Sequence, residues 1–230
     1  MSEIILALDF DTEEKAIAFA SLVQKEIKWV KVGLELFCKA GTVILPKLKD
    51  LGFNIFLDLK LFDIPNTVKG AIKNILKFHI DMLTLHLLGG ENMIKEAVNV
   101  KNSLRPKCLI LGVTILTSLS KNDLVWSESR SISDVVLDLA QKGLGWGVDG
   151  VVLSPLELEV VGEKLPRLTL VTPGIRLTTD KKGDQKRVLS PYQATLKGAD
   201  FLVIGRSITK AKDPLQIIKT IKKEIKRAKQ

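Results

Sequence analysis

The sequence is poor in the residues that staple, ligate or break chains. Its 2 cysteines, Cys38 and Cys108, stand far apart with no metal-type spacing. That excludes a disulfide scaffold and a cysteine-based zinc site, and it leaves two free thiols suited to a reducing cytoplasm. Its 2 histidines, His79 and His86, are too few for an ordinary zinc centre without carboxylate help. His79 reads as a solvated turn residue, and His86, closing an apolar run, as a hydrogen-bonded neighbour rather than a base. The 8 prolines form no linker. The 3 tryptophans, Trp29, Trp126 and Trp146, are scattered and read as packing residues. No uncharged apolar run approaches the ~18 residues of a membrane-spanning helix. The first ten residues have no basic start, and Asp9 and Asp11 interrupt their apolar stretch, so they do not read as a signal peptide. Gly-x-Ser-x-Gly and Walker motifs are both missing, which leaves serine-hydrolase and P-loop readings without support.

What is present is an ordinary globular composition. The chain has 230 residues, 46% hydrophobic and 27% charged, with a formal net charge of +9. It is long enough to bury a core without staples, and its apolar content is too high for a disordered chain. Nothing resembling a linker, repeat or low-complexity tract divides it, so residues 1–230 read as one domain. Much of the positive charge sits near the C-terminus, where Lys219, Lys222, Lys223, Lys226, Arg227 and Lys229 face only Glu224. Ile217, Ile218, Ile221 and Ile225 run through the same segment at helical spacing. The expectation is a core-docked helix with a solvated basic face. No aromatic residue interleaves the lysines to stack bases, so nucleic acid is not an expected partner.

Short apolar runs alternate with amphipathic segments from end to end. The expected strands are Ile4–Phe10, Trp29–Gly33, Asn54–Lys60, Met82–His86, Cys108–Ile115, Gly150–Ser154, Thr169–Pro173 and Phe201–Gly205. They are rich in Val, Ile and Leu, as parallel strands covered on both faces should be. Asp11-Thr12-Glu13-Glu14 is an acidic helix start. Val68, Ile72, Ile75 and Leu76 carry a later helix, and Ile132, Val135, Val136 and Leu139 another. Further helices are expected from near Glu91, from near Leu156 and, as a short one, around Pro191–Lys197. Eight strands each followed by a helix predict an α/β fold of the (β/α)8 TIM-barrel type. An open doubly wound sheet is disfavoured because the turn after the first strand carries no glycine fingerprint.

In such a barrel the chemistry lies at the C-terminal strand ends. There the sequence places Asp9, Lys31, Asp58 and Lys60, with Asp63 just beyond. Asp58 and Lys60 are i and i+2 of one strand and so share a face. One Lys/Asp pair could be purely structural, but burying a whole set of alternating charges without use is costly. Strand seven runs into Pro173-Gly174-Ile175-Arg176 and then Gly183-Asp184-Gln185; strand eight runs into Gly205-Arg206. Loops after these two strands commonly bind phosphate. Glycine permits close backbone approach, and arginine offers a fork to phosphate oxygens. Surface arginines are the plainer alternative.

Asp58-Leu59-Lys60-Leu61-Phe62-Asp63-Ile64-Pro65-Asn66-Thr67 resembles the Asp-x-Lys-x-x-Asp-Ile-x-x-Thr signature of the orotidine 5′-phosphate decarboxylase family. Agreement continues at Ala7-Leu8-Asp9, Lys31-Val32-Gly33, Leu116-Thr117-Ser118, Val171 to Arg176, Gly183-Asp184-Gln185 and Ile204 to Ser207. Phe62 departs from bacterial relatives, which often have His there. The resemblance implies cofactor-independent, metal-free decarboxylation of orotidine 5′-monophosphate to uridine 5′-monophosphate, the last step of de novo UMP synthesis. Lys60 would donate the proton, flanked by Asp58 and Asp63 and completed by Lys31. Asp9 and Lys31 would hold the ribose, and Arg176, Gln185, Gly205 and Arg206 the phosphate, with Pro173 nearby. Thr117, Ser154 and Thr67 would line the nucleotide site. A cytoplasmic homodimer is implied, with Asp63 and Thr67 supplied across the interface, and the Pro173–Gln185 segment is expected to close over the nucleotide. Rival readings are a magnesium-dependent sugar-phosphate enzyme, against which Lys31 speaks, and a Schiff-base aldolase, against which the flanking acids speak. A third is an RNA-binding module acting through the basic helix.

Overall fold

The computed structural model describes residues 2–124, 130–177 and 188–230. Eight parallel strands close into a barrel in sequence order. They are β1 (Glu3–Ala7), β2 (Trp29–Gly33), β3 (Asn54–Leu61), β4 (Met82–His86), β5 (Leu109–Val113), β6 (Gly150–Val152), β7 (Thr169–Thr172) and β8 (Phe201–Ile204). Closure comes from β1 against β8, with Glu3 to Leu6 in register with Phe201 to Ile204. Around the barrel run α1 (Glu13–Val23), α2 (Leu34–Ala40), α3 (Ile44–Asp50), α4 (Pro65–Ile75), α5 (Gly90–Leu104), α6 (Ile132–Trp146), α7 (Leu158–Lys164), α8 (Pro191–Leu196), α9 (Arg206–Thr209) and α10 (Pro214–Arg227).

Local chemistry explains the helix starts. Thr12, Ser131, Ser190 and Asp213 each accept a hydrogen bond from a backbone N–H in the first turn of α1, α6, α8 and α10, which satisfies donors a helix cannot pair internally. Proline occupies the first turn of α4, α8 and α10, where its missing N–H costs nothing. In α10 the buried residues are Ile218, Ile221 and Ile225, so the isoleucine stripe faces the barrel and the lysines face outward.

Two apolar layers result from strand alternation. Ile5, Ala7, Phe56, Met82, Leu111, Val113, Val152, Val171 and Val203 fill the barrel interior. Below them Trp29 and Phe201 meet edge to face, with ring centroids 5.2 Å apart. The opposite strand faces, including Leu6, Val30, Leu57, Leu83, Ile110 and Val151, pack under the helices. A fully buried Leu or Ile contributes about 1.5–3 kcal/mol relative to exposure, so this double layer is the main favourable term.

The strand expectations differ from the structure mostly at the C-terminal ends. β1 stops at Ala7 rather than Phe10, β5 at Val113 rather than Ile115, and β6 at Val152 rather than Ser154. Leu8, Ile115 and Leu153 remain buried beyond those ends, so apolar character outlasts the ladder. β3 instead runs one residue further, to Leu61. Its pairing with β4 shifts register between Leu57 and Leu61, an irregularity that bears on the site.

Candidate active site

The charged strand ends converge at the C-terminal mouth. Ala7 ends β1, and Asp9 follows two residues later with its side chain half exposed. Lys31 lies on the inward face of β2, its side chain 11% exposed. Its Nζ sits 3.2 Å from Asp9 Oδ1 and 3.7 Å from Asp58 Oδ2. Gly33 makes room for it, since a Cβ there would stand 2.6 Å from Lys31 Nζ. Asp58 is 8% exposed, and each of its oxygens accepts from Lys60 Nζ at 2.9 Å. Thr84, fully buried on β4, donates to Asp58 Oδ1 at 3.0 Å.

Two acids and two ammonium groups thus alternate through the mouth. Burial alone would push the Asp58 carboxyl up, but Lys31, Lys60 and the hydrogen bonds from Lys60 and Thr84 together hold it below the usual carboxylate range. Asp58 is an anion in this setting, and it holds Lys60 by a charge-assisted contact. Lys60 itself has a left-handed backbone, φ 51°, which is uncommon for a non-glycine residue and is found disproportionately at functional sites.

A cavity of about 260 Å³ opens above this array, at the small end of ligand pockets. Asp9, Lys31, Asp58, Lys60, Thr117, Pro173, Arg176, Gly205 and Arg206 all line it. Ala7, Phe56, Val113, Val152 and Val203 form its apolar floor. Gly205 lets the turn after β8 approach the end of β1 closely, because a Cβ there would lie 3.3 Å from the Ala7 Cβ and 3.7 Å from Asp9 Oδ2. Arg176 leaves β7 through a pinned turn: its N–H donates to Leu189 O at 3.0 Å, and Leu189 N–H donates to Gly174 O at 3.3 Å.

Three expected site residues lie apart from this lining. Ser154 is buried behind it, and its hydroxyl accepts from Leu156 N–H at 3.3 Å in the turn before α7. Asp63 and Thr67 are exposed on the chain's outer rim. There Asp63 Oδ1 accepts from Ile64 N–H at 2.6 Å. Their neighbours Phe62 and Ile64 are 62% and 67% exposed. Gly183, Asp184 and Gln185, and with them most of the segment expected to close, lie outside the described residues, as does Trp126. Of the two histidines, His79 is an exposed turn residue with a left-handed backbone, beside the Arg105 guanidinium. His86 Nδ1 accepts from Leu88 N–H at 3.4 Å. Burial, with the Lys60 ammonium nearby, pushes its pKa down, and the Phe62 ring lies 5.7 Å from it.

The model of the "Orotidine 5'-phosphate decarboxylase / HUMPS family" matches residues 2–221. The chain belongs to this family. A protein of Lawsonia intracellularis named orotidine 5′-phosphate decarboxylase is 47% identical over 225 residues, covering 96% of this chain and 98% of that one. Its namesake from Dictyoglomus thermophilum is 46% identical over 230 residues, covering 96% and 94%. The crystal structure of orotidine 5′-phosphate decarboxylase from Lactobacillus acidophilus superimposes with a TM-score of 0.86 at 37% identity, covering 98% of this chain and 99% of that one. As an enzyme of the decarboxylase family, the chain carries its signature on the irregular end of β3 and the start of α4. Sequence reasoning missed Thr84 and the space-making role of Gly33. Thr84 had a readable signal: it is the polar residue between Met82 and His86 on the inward face of β4.

Proposed function

We propose that this chain decarboxylates orotidine 5′-monophosphate to uridine 5′-monophosphate without a cofactor, with the Lys60 ammonium as the acid. The observation that carries the proposal is the grip of Asp58 on Lys60 Nζ through both oxygens, within a cavity that also holds Arg176 and Arg206. The bond between ring carbon 6 and the carboxylate breaks, and its electron pair stays on carbon 6. A proton from Lys60 Nζ meets that pair as carbon dioxide leaves, and Lys60 recovers a proton from solvent.

A preorganised ammonium beside developing negative charge is the kind of electrostatic term that usually dominates catalysis. Asp58 and Lys31 keep the charges of the array fixed before substrate arrives. Asp9 and Lys31 are suited to the ribose hydroxyls, and Thr117 and Pro173 to the nucleotide's flank. Arg176 and Arg206, with the open backbone at Gly205, are suited to the 5′-phosphate, and Gln185 is assigned to the same group. Binding energy from the phosphate end can be used for orientation at the reacting end.

The active unit in this reading is a cytoplasmic homodimer of one-domain chains. A second copy covers Phe62 and Ile64 and brings its own Asp63 and Thr67 to the neighbouring cavity. The exposure of those four residues on one chain supports this, because large apolar side chains beside site residues favour a partner surface. No helix among the described residues is long and apolar enough to cross a membrane.

The test is the loss of absorbance of orotidine 5′-monophosphate with purified protein, with and without a chelator, beside Lys60→Ala. Equal decay in both arms, and loss of about 1,000-fold or more in the variant while a product analogue still binds, is expected. Decay that stops with chelator, or a variant turning over near the wild-type rate, overturns the reading.

A further inference from the structure

The irregular end of β3 points to a residue that the reaction has not been assigned. Opposite β4, Phe56 pairs with Met82, Leu57 with Leu83, and the next pair is Leu61 with Leu85. Three residues, Asp58, Leu59 and Lys60, therefore face one, Thr84. A backbone ladder cannot serve three residues from one position, so the strand bulges there. Lys60 takes its left-handed conformation at this place. Its N–H, displaced from the ladder, donates to Thr84 Oγ1 at 2.8 Å. The same hydroxyl donates its own hydrogen to Asp58 Oδ1 at 3.0 Å.

We propose that Thr84 is a positioning residue for the decarboxylation: its one hydroxyl locks the bulge and the carboxylate together, so that the Lys60 ammonium stands over the cavity. The hydroxyl uses both of its capacities. As acceptor it fixes the main chain of the residue that carries the amine, and as donor it fixes the carboxylate that grips that amine. Being β-branched, Thr84 has few side-chain rotamers, and it is fully buried. It never touches the reacting atoms. It acts by removing the freedom of Asp58 and Lys60 to rotate as one unit, and misplacement of a reacting group by about 1 Å can cost 100-fold in rate.

This inference rests on the reading of Lys60 as the acid. Thr84→Val keeps the shape, leaves the Lys60 N–H without its acceptor, and takes one donor from Asp58. Thr84→Ser keeps the hydroxyl. The charged groups facing Asp58 are Lys31 from β2 and Lys60 from β3, with Asp9 across Lys31 and His86 farther along β4. Neither variant replaces any of these groups, so a shift in the acid limb reports the lost donor and the position it fixes. The expected result for Thr84→Val is a fall in kcat of about 10- to 100-fold with KM little changed, and an acid limb of kcat moved to higher pH. Thr84→Ser should stay within about threefold of wild type.

A valine variant with wild-type kcat, a loss confined to KM, an unmoved acid limb, or a serine variant as impaired as the valine one would each overturn the proposal. Should Thr84→Val not fold, Thr84→Cys keeps a side chain of similar size with a weaker donor and acceptor and takes its place in the comparison with serine. Lys60→Ala separates the two claims. If it retains turnover, the acid assignment falls with everything built on it; if it is inactive while Thr84→Val is unaffected, only the positioning role falls.

Discussion

The two mouths of the barrel use aspartate in opposite ways. At the N-terminal mouth Asp81, Asp149 and Asp200 stand immediately before β4, β6 and β8. Each carboxylate accepts a backbone N–H from the preceding strand: Ile55 at 2.7 Å, Ile110 at 2.7 Å and Leu170 at 2.8 Å. Each aspartate also returns its own N–H to the carbonyl of that same residue at 2.9 Å. The result is a closed ring that pins strand register. Lys49 pairs with Asp81, and the nearly buried Lys101 pairs with Asp149 at 3.1 Å. At the C-terminal mouth Asp58 is held instead by side chains, those of Lys60, Lys31 and Thr84. A carboxylate tied to backbone fixes the frame. A carboxylate tied to ammonium groups presents those groups to whatever enters the cavity.

Exchanging one carboxylate at each mouth should break this contrast cleanly. The largest effect is expected from Asp58→Asn, which leaves Lys31 and Lys60 without their shared counter-charge. Steady-state assay should show kcat lower by about 100- to 1,000-fold. The same variant sharpens an acid-stability prediction. The folded protein holds the Asp58 carboxyl below its ordinary value. Its contribution to stability is therefore complete above about pH 4 and is lost as pH falls through the lower folded-state value. Melting curves taken across that acid range should flatten in Asp58→Asn; an unchanged slope would remove Asp58 from the linkage.

Asp149→Asn is the counterpart at the other mouth. It weakens the partner of Lys101, whose side chain is 4% exposed, and should cost about 2 kcal/mol of stability. Its kcat/KM should stay within about twofold of wild type; a large kinetic loss would mean that the two mouths are coupled. The smallest effect concerns the thiols. Burial, reinforced by the Asp81 carboxylate, pushes the Cys108 thiol up to about 12, whereas Cys38 is exposed. A thiol reagent at mildly alkaline pH should titrate one cysteine in the native protein and both after unfolding. Two fast native thiols would contradict the burial of Cys108.

The barrel was legible because its strands are dense apolar runs with charged ends, and because glycine is missing from the first turn. Charge at strand ends located Asp9, Lys31, Asp58 and Lys60, and all four line the cavity. Alternation placed Asp58 and Lys60 on one face, and they do meet, yet through a bulge and a left-handed residue that a period of two cannot encode. Alternation along β4 could have put Thr84 on the inward face beside Asp58, but its two hydrogen bonds follow from a register shift that alternation does not encode. Ser154 belonged to an apolar run that outlasted its strand, so the last residue of that run turned into a loop behind the cavity. Asp63 and Thr67 sit on an outer rim; only the family resemblance, and no pattern of charge or alternation, assigns them to a second copy's cavity.

The pairing of β1 with β8 also decides whether the cavity exists at all. Asp9, Lys31, Asp58 and Lys60 belong to the first three strands and their exits, but the wall that completes their cavity, Val203 to Arg206, belongs to the eighth. Parting that one seam would leave the whole charged array on one side of an open, curling sheet. The cavity is therefore all or none, present only while the ring is shut.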